Sequence, residues 1–254
     1  MKFKAPIYPQ VWLVFVAWII IILAVGWWSR AGQQSDLVEG LQSGIRVNVV
    51  VAMLFGLACI GFWKIWRETG FTGTAANSAW WLLVVPVALI IIFASFGLTQ
   101  GNLATAAVVT ILVNSLFVGI NEEVMLRGLV FSGTANRFSF LNACIITTVV
   151  FGLIHMLNFF STGEIKIVQA IATMFVGLIL LAIRVGMGSI IPAIIIHGLW
   201  DFSTALTASV SDFSGGALVQ IVPLALIAAP ILFGMTGGYY LWCYSVRLRR
   251  EEAS

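Results

Sequence analysis

Long runs of apolar residues restrict the fold of this chain more than any other feature of its sequence. Eight runs come close to the ~20 residues that a helix needs to cross a bilayer. They lie at about 11–28, 45–63, 80–98, 104–121 (helical to about 133), 139–160, 167–185, 188–209 and 217–243. Because lipid offers the backbone no hydrogen-bond partners, such runs form helices. We therefore predict an all-α fold, a polytopic membrane bundle of eight transmembrane helices.

Composition excludes a soluble protein. Only 9% of the residues are charged and 61% are hydrophobic, whereas about 25% of a soluble domain is charged. The longest hydrophilic stretch, 29–44, is too short to fold independently. We therefore expect one integral-membrane domain, 1–254, with a catalytic core at 104–205. Three isolated cysteines fit neither a disulfide framework nor a zinc site, namely Cys59, Cys144 and Cys243.

The basic residues predict how the bundle is oriented. With eight crossings both termini lie on one side, which receives ten of the 13 Lys and Arg residues. The other side receives Arg30, Arg46 and Lys166. The positive-inside rule then places both termini in the cytoplasm. The first run, about 18 residues long, exceeds the usual core of a signal peptide, so we expect a retained helix. Short loops without a eukaryotic retention signal favour a prokaryotic plasma membrane.

The fourth apolar run carries two adjacent carboxylates and an arginine, Glu122, Glu123 and Arg127. On a helix, Glu123 and Arg127 are four residues apart, in the favourable order for an ion pair. Glu122 lies about 100° around the helix from Glu123 and can face other surroundings. The paired glutamate then stays charged, and Glu122 becomes a candidate general base. A solvated charge cluster at a helix end is the structural alternative.

The fifth and seventh runs each carry one of the two histidines in the chain. His155 follows Phe151 by four residues, and Asn158 follows three residues later; we take both neighbours as supporting residues. His197 precedes Asp201 by four residues, so the carboxylate can orient the ring or share its function. Ionisable groups inside membrane helices usually mark a functional site. The alternatives are a histidine bonded to a neighbouring backbone and a His–Asp pair that locks helix packing.

Depth in the membrane allows these groups to meet. Counted from the predicted cytoplasmic helix ends, Glu122 lies roughly 16 Å deep, His155 roughly 21–24 Å and His197 roughly 14 Å. Boundary errors of a few residues cover these differences. The first three runs are nearly free of internal charge and predict scaffold helices. The second half of the chain is therefore expected to do the chemistry.

Two carboxylates, two histidines and an arginine in a dry cavity are suited to hydrolysis. A glutamate can take a proton from water while a histidine assists and another stabilises an oxyanion. A metal held by His and Glu ligands is an alternative way to activate the water. The metalloprotease H-E-x-x-H helix and the G-x-S-x-G elbow are absent from the sequence. No phosphate-binding loop or nucleic-acid-binding patch is present either.

Taken together, the three motifs resemble those of the CPBP family, which includes intramembrane CAAX proteases and bacteriocin-processing or bacteriocin-immunity proteins. The family shows E-E-x-x-x-R, F-x-x-x-H and H-x-x-x-N/D on successive core helices of an eight-helix bundle. The same order is found here, as Glu122-Glu123-x-x-x-Arg127, Phe151-x-x-x-His155 and His197-x-x-x-Asp201. The resemblance covers residues from about 104 to 205.

The resemblance implies an endopeptidase of the glutamic type that acts on membrane-associated proteins or peptides, prenylated CAAX proteins among them. Glu122 and His155 would activate the water, while Glu123 and Arg127 would hold the geometry of the site. No cofactor is implied, although a divalent metal stays an alternative. The expected partners are the lipid bilayer and a peptide near the membrane, and no nucleic acid.

The resemblance also implies that His197 and Asp201 line the oxyanion side. Eukaryotic relatives carry Asn where this chain has Asp201. An amide donates to an oxyanion, whereas an ionised carboxylate only accepts. Either Asp201 carries a proton, or it orients His197.

Two functions from other classes use the same residues. A proton-coupled transporter would use the Glu and His side chains as a relay. The sequence shows neither the internal repeats nor the broken helices typical of such transporters. A non-catalytic scaffold or immunity protein would keep the motifs and act by binding a partner.

Overall fold

A computed structural model describes residues 8–29, 37–73, 77–211, 213 and 217–253 of the chain. In this part of the chain the regular elements are helices. The α-helices are α1 (Tyr8–Ser29), α2 (Leu37–Gln42), α3 (Val47–Trp63), α4 (Val84–Gln100), α5 (Thr105–Glu123), α6 (Phe131–Ala135), α7 (Phe140–His155), α8 (Phe159–Thr162), α9 (Ile167–Met187), α10 (Ile191–Ala208) and α11 (Ala217–Ala253).

The predicted all-helical class is confirmed for the described residues. Seven helices there are long and apolar enough to cross a membrane. The run predicted at 45–63 forms α3, which has 17 residues and a length of about 25 Å at 1.5 Å per residue. That helix is apolar but slightly shorter than the hydrocarbon thickness of about 30 Å.

Helices α5 and α6 are joined without a break by a π-helical segment, Val124–Val130. Its seven residues are all buried. π-helical turns are rare and occur frequently at functional sites. Here the segment follows directly after the two glutamates and contains Arg127.

The centre of the bundle is formed by α9 and α10, which are the most buried of the membrane-length helices. Helix α10 packs against α4, α5 and α9. Its contact with α5 is close because both helices have glycine there: a Cβ at Gly119 would lie 2.8 Å from the backbone nitrogen of Gly198. Small residues let membrane helices approach in this way.

At one end of the bundle, residues of several helices form hydrogen bonds to the segment that follows α3. The Glu68 carbonyl accepts hydrogen bonds from Ser132 Oγ at 3.0 Å and Arg184 Nη2 at 3.1 Å. The Ile190 N–H donates to the Gly70 carbonyl at 3.0 Å. This end, which also carries the C-terminus of α11, is called the C-terminal face below. It is built by the ends of α3, α6, α9 and α11 and the starts of α7 and α10.

The opposite face is formed around Asn114 of α5. Its side-chain oxygen accepts from the backbone N–H of Arg46 at 3.0 Å, and its amide nitrogen donates to the carbonyls of Leu41 and Gly44. Gln42 Nε2 donates to Ser209 Oγ at 3.1 Å. The opposite face therefore joins α2 and the start of α3 to the end of α10.

Candidate active site

Glu123 is a fully buried carboxylate held by two partners. Arg127 Nη1 donates to its Oε1 at 2.8 Å, so the predicted i, i+4 ion pair is confirmed. His197 Nδ1 donates to the same oxygen at 2.8 Å. One carboxylate oxygen thus ties an arginine of its own helix to a histidine of α10.

Arg127 is itself 1% exposed and is fixed by groups from two further helices. Its Nη2 donates to the Gly177 carbonyl of α9 at 3.2 Å. Its Cζ lies 4.0 Å from the centre of the Phe151 ring of α7, a favourable cation–π arrangement. A Cβ on Gly177 would lie 2.8 Å from Phe151 Cδ1, so glycine makes room for this stack.

Glu122 has different surroundings from its neighbour. Its side chain is 17% exposed, and its Oε2 lies 3.9 Å from His155 Nε2 and 3.7 Å from His197 Nε2. Both gaps are longer than a hydrogen bond. Within the described residues this oxygen has no hydrogen-bond partner. Glu122 therefore presents an uncommitted carboxylate oxygen to two imidazoles.

The orientation of His155 is set by its own helix. Its Nδ1 lies 2.8 Å from the Phe151 carbonyl, and because a carbonyl only accepts, Nδ1 carries the hydrogen. The Phe151 ring packs edge-on against it, with centroids 5.0 Å apart. A neutral ring held this way turns an unprotonated Nε2 towards Glu122.

His197 is 3% exposed and is oriented from another helix rather than from its own. Its Nε2 lies 3.6 Å from Asp201 Oδ2, beyond hydrogen-bonding distance, whereas Nδ1 is bonded to Glu123. Asp201 is 31% exposed. The sequence suggested Asp201 as a group that could orient the ring; the structure shows Glu123 in that position.

Part of this site borders a cavity of about 700 Å³, whose lining does not include His197, Glu123 or Arg127. Glu122, His155 and Asp201 border it, together with Asn158, which lies in the 3₁₀ turn Met156–Asn158 after α7. The rest of its wall comes from α1, α2 and α3 as well as from the later helices. Its other lining residues include Trp18, Ile19, Ile22, Leu23, Trp27, Leu41, Arg46, Asn48, Ser115, Val118, Gln169, Thr204 and Ala208.

Helix α1, which the sequence predicted to be only a scaffold helix, contributes side chains to the site. Trp18 Nε1 donates to Asn121 Oδ1 at 2.8 Å in a buried contact. Asn121 precedes Glu122, so three consecutive polar residues in an apolar run were a usable sequence signal for it. No comparable signal existed for Trp18, which is one of ten tryptophans.

The described residues contain no group of three His, Cys, Asp or Glu side chains that could hold a metal ion. The site as it stands consists of carboxylates, imidazoles and a guanidinium.

Comparison with family models gives a match over residues 103–203, to the Rce1-like family, described as type II CAAX prenyl endopeptidases. The likeness is to the Rce1-like family and covers less than half of the chain. The matched segment runs from the start of α5 into α10 and contains Glu122, His155, His197 and Asp201. The match supports CAAX-type protease activity at the level of the family, and the apolar helices make the protein a multi-pass membrane protein. Comparison with curated proteins and with solved structures finds no match.

Proposed function

We propose that the protein is an intramembrane endopeptidase of the glutamic type, which hydrolyses a peptide bond of membrane-associated proteins or peptides. One observation carries the proposal: the Glu122 carboxylate, uncommitted and beside two imidazole nitrogens, borders a large cavity. Its neighbour Glu123 is already bound to Arg127 and His197. Glu122 is therefore the carboxylate available to react.

In the proposed reaction, Glu122 removes a proton from a water molecule, whose oxygen adds to the scissile carbonyl carbon. His155 accepts a hydrogen bond from that water through its unprotonated Nε2. The resulting oxyanion collapses, the C–N bond breaks, and Glu122 returns the proton to the leaving amine. Both roles of Glu122 use an oxygen that has no competing partner among the described residues.

His197 and Asp201 would stabilise the oxyanion. Glu123 fixes the Nδ1–H of His197, so a second proton at Nε2 would lie beside Glu122 and Asp201, which border the cavity, and would donate to the oxyanion. Because Glu123 already orients this ring, Asp201 is not needed for that purpose. We propose that Asp201, as a carboxylic acid, donates a hydrogen bond to the substrate, at the position where the eukaryotic relatives have an amide.

The proposal includes eight crossings with both termini in the cytoplasm of a prokaryotic plasma membrane. Helix α3 begins beside Asn114 on the opposite face, and the segment that follows it bonds to the C-terminal face through Glu68 and Gly70. It therefore connects the two ends of the bundle despite its 17 residues. The exposed arginines at the end of α11 support a cytoplasmic C-terminal face.

The test is cleavage by the purified wild-type protein in detergent. Prenylated and unprenylated C-terminal CAAX peptides and unrelated apolar peptides are incubated with it, and the products are identified by mass spectrometry. We expect at least one peptide to be cut at a single bond, with a rate unchanged by a chelator. If no peptide is cut, the proposal fails; a rate lost to the chelator and restored by a metal would show that the reaction depends on a metal.

The transporter alternative makes a different prediction for the same protein. A relay through Glu122 and the two histidines would give substrate-dependent proton flux in sealed vesicles. The C-terminal-face side of the site is packed with the buried residues Val124–Val130. We therefore expect no flux above that of empty vesicles.

A further inference from the structure

The cavity extends from the site towards only one end of the bundle. Beyond Glu122 its lining continues back along α5 to Ser115, and beyond Asp201 it continues to Ala208 at the end of α10. From α1 it takes residues of the second half, ending with Trp27. All three helices lead to the opposite face, where the start of α3 supplies Arg46.

Towards the C-terminal face the site is closed by packed side chains. Every residue of Val124–Val130 is buried. Val11 of α1 covers the next turn, since a Cβ at Gly133 would lie 2.6 Å from its side chain. Phe151 and Phe15 belong to the same buried cluster. No cavity-lining residue comes from this layer.

The basic residues mark the closed end. Six exposed lysine and arginine residues lie on the C-terminal face: Lys64, Arg67, Arg137, Arg247, Arg249 and Arg250. On the opposite face the described basic residues are Arg46, half-buried at the cavity, and Lys166, which pairs with Glu164 at 3.7 Å. Positive charge is retained on the cytoplasmic side of membrane proteins. The charge distribution thus makes the closed end cytoplasmic.

From the position of the cavity and the distribution of charge, we infer that the active site opens to the extracytoplasmic face and takes apolar peptide segments presented there. This inference rests on the proposed function for the cleavage and on the positive-inside rule for the direction. A CAAX tail displayed in the cytoplasm would meet the closed end. The substrates are then exported or membrane-inserted peptides whose cleavage site lies on the outer side.

The cavity wall indicates the side chains that such a peptide presents. Helix α1 lines it with Trp18, Ile19, Ile22, Leu23 and Trp27. These residues form an apolar strip on one side of the cavity, while Glu122, His155 and Asp201 line its inner end. Burying apolar side chains of a peptide against such a wall is favourable. Peptides with bulky apolar residues next to the scissile bond are therefore the expected class.

Cysteine labelling tests the direction without using activity. In a background with Cys59, Cys144 and Cys243 replaced by alanine, one cysteine is introduced by Ala208→Cys at the cavity or by Arg249→Cys on the C-terminal face. Both positions are exposed and helical. Intact bacterial cells expressing each variant are treated with a membrane-impermeant maleimide, before and after permeabilisation, and full labelling in denaturant measures the total protein.

We expect Ala208→Cys to reach its permeabilised labelling level in intact cells, and Arg249→Cys to be labelled only after permeabilisation. The reverse pattern, or equal labelling of both in intact cells, would overturn the inference.

A second arm places impermeant apolar peptides outside sealed proteoliposomes that carry the Arg249→Cys protein, whose cysteine lies away from the cavity. The share of cleavage seen before detergent should equal the share of this cysteine that is protected from label outside. If cleavage follows the labelled share instead, substrate enters from the C-terminal face and the inference is wrong. Cleavage from neither side would contradict the proposed protease activity while leaving the labelling result in place.

Discussion

Glu122 and Glu123 are neighbours in the sequence, yet their carboxylates meet different partners. The side chain of Glu123 is 0% exposed and its bonds join α5 to α10, whereas that of Glu122 is 17% exposed and borders the cavity. Successive residues point about 100° apart on a helix, so one can hold the site together while the other meets the substrate. Substitutions at the two positions should therefore separate stability from activity.

Glu123→Gln is expected to destabilise the protein. It keeps the shape of the side chain but leaves Arg127 charged and buried without its carboxylate. Removing one partner of a buried ion pair typically costs about 3–5 kcal/mol. Thermal unfolding in detergent should show a lower midpoint than for the wild type and for the matched variant Glu122→Gln. Equal midpoints for the two variants would contradict the structural role of Glu123.

Asp201→Asn should keep the cleavage rate within about tenfold of the wild type, because an amide can donate to the oxyanion in place of a carboxylic acid. Asp201→Leu, of similar size, should lose about 10²–10³-fold, as when one oxyanion donor is removed. The initial rates of both variants, on one peptide that the wild type cleaves, measure these two losses. Equally large losses in both variants would show that the negative charge of Asp201 is what matters.

Local spacing predicted some of these contacts and missed others. The Glu123–Arg127 pair lies within one helix turn, so the sequence predicts it. The bond between Glu123 and His197 joins residues 74 positions apart. It depends on the register of α5 against α10, and the sequence pattern of either helix alone does not contain that register.

At the level of helices, the crossing of α5 and α10 brings the two halves of the site together. A Cβ at Gly198 would lie 3.0 Å from Leu116 Cα and 3.1 Å from the Ser115 carbonyl oxygen. Both are backbone atoms, which cannot rotate away. A Cβ at this position therefore requires the helices to separate by a few tenths of an ångström.

Gly198→Ala should thus lower cleavage strongly by lengthening the 2.8 Å contact between Glu123 and His197. The matched control is Gly238→Ala on α11, where a Cβ would meet only Leu178 Cδ1 at 3.8 Å. Alanine is the better helix former by about 0.8–1.0 kcal/mol, so the control should be as stable as the wild type or more so. Rates and unfolding midpoints of both variants check this. Full activity of Gly198→Ala would show that the close crossing is unimportant.

The helices themselves were largely predictable, whereas their irregular parts were not. Apolar runs of about 20 residues gave seven membrane-length helices and α3 near the expected positions. The π-helical segment Val124–Val130 has no signature in the hydropathy pattern, which shows where apolar residues lie and not how the backbone bonds or packs. The role of α1 in the cavity was missed for the same reason: its sequence is uniformly apolar, and only the tertiary structure shows which of its residues face the site.

For the molecule as a whole, a buried charged cluster lies at the inner end of a cavity that is open towards one face. Glu123 and Arg127 are sealed among α5, α7, α9 and α10, and Glu122 lies at their cavity side. Ionisable groups inside an apolar bundle are costly and usually mark a functional site. The proposed hydrolysis therefore depends on Glu122 as the base.

The most direct test compares peptide cleavage by Glu122→Gln with cleavage by Glu164→Gln. Glu164 is a matched glutamate with a 74% exposed side chain. We expect Glu122→Gln to unfold at the wild-type midpoint and to cleave at least about a hundredfold more slowly, as for loss of a general base. Glu164→Gln should match the wild type in both measurements. Undiminished cleavage by folded Glu122→Gln would contradict the account.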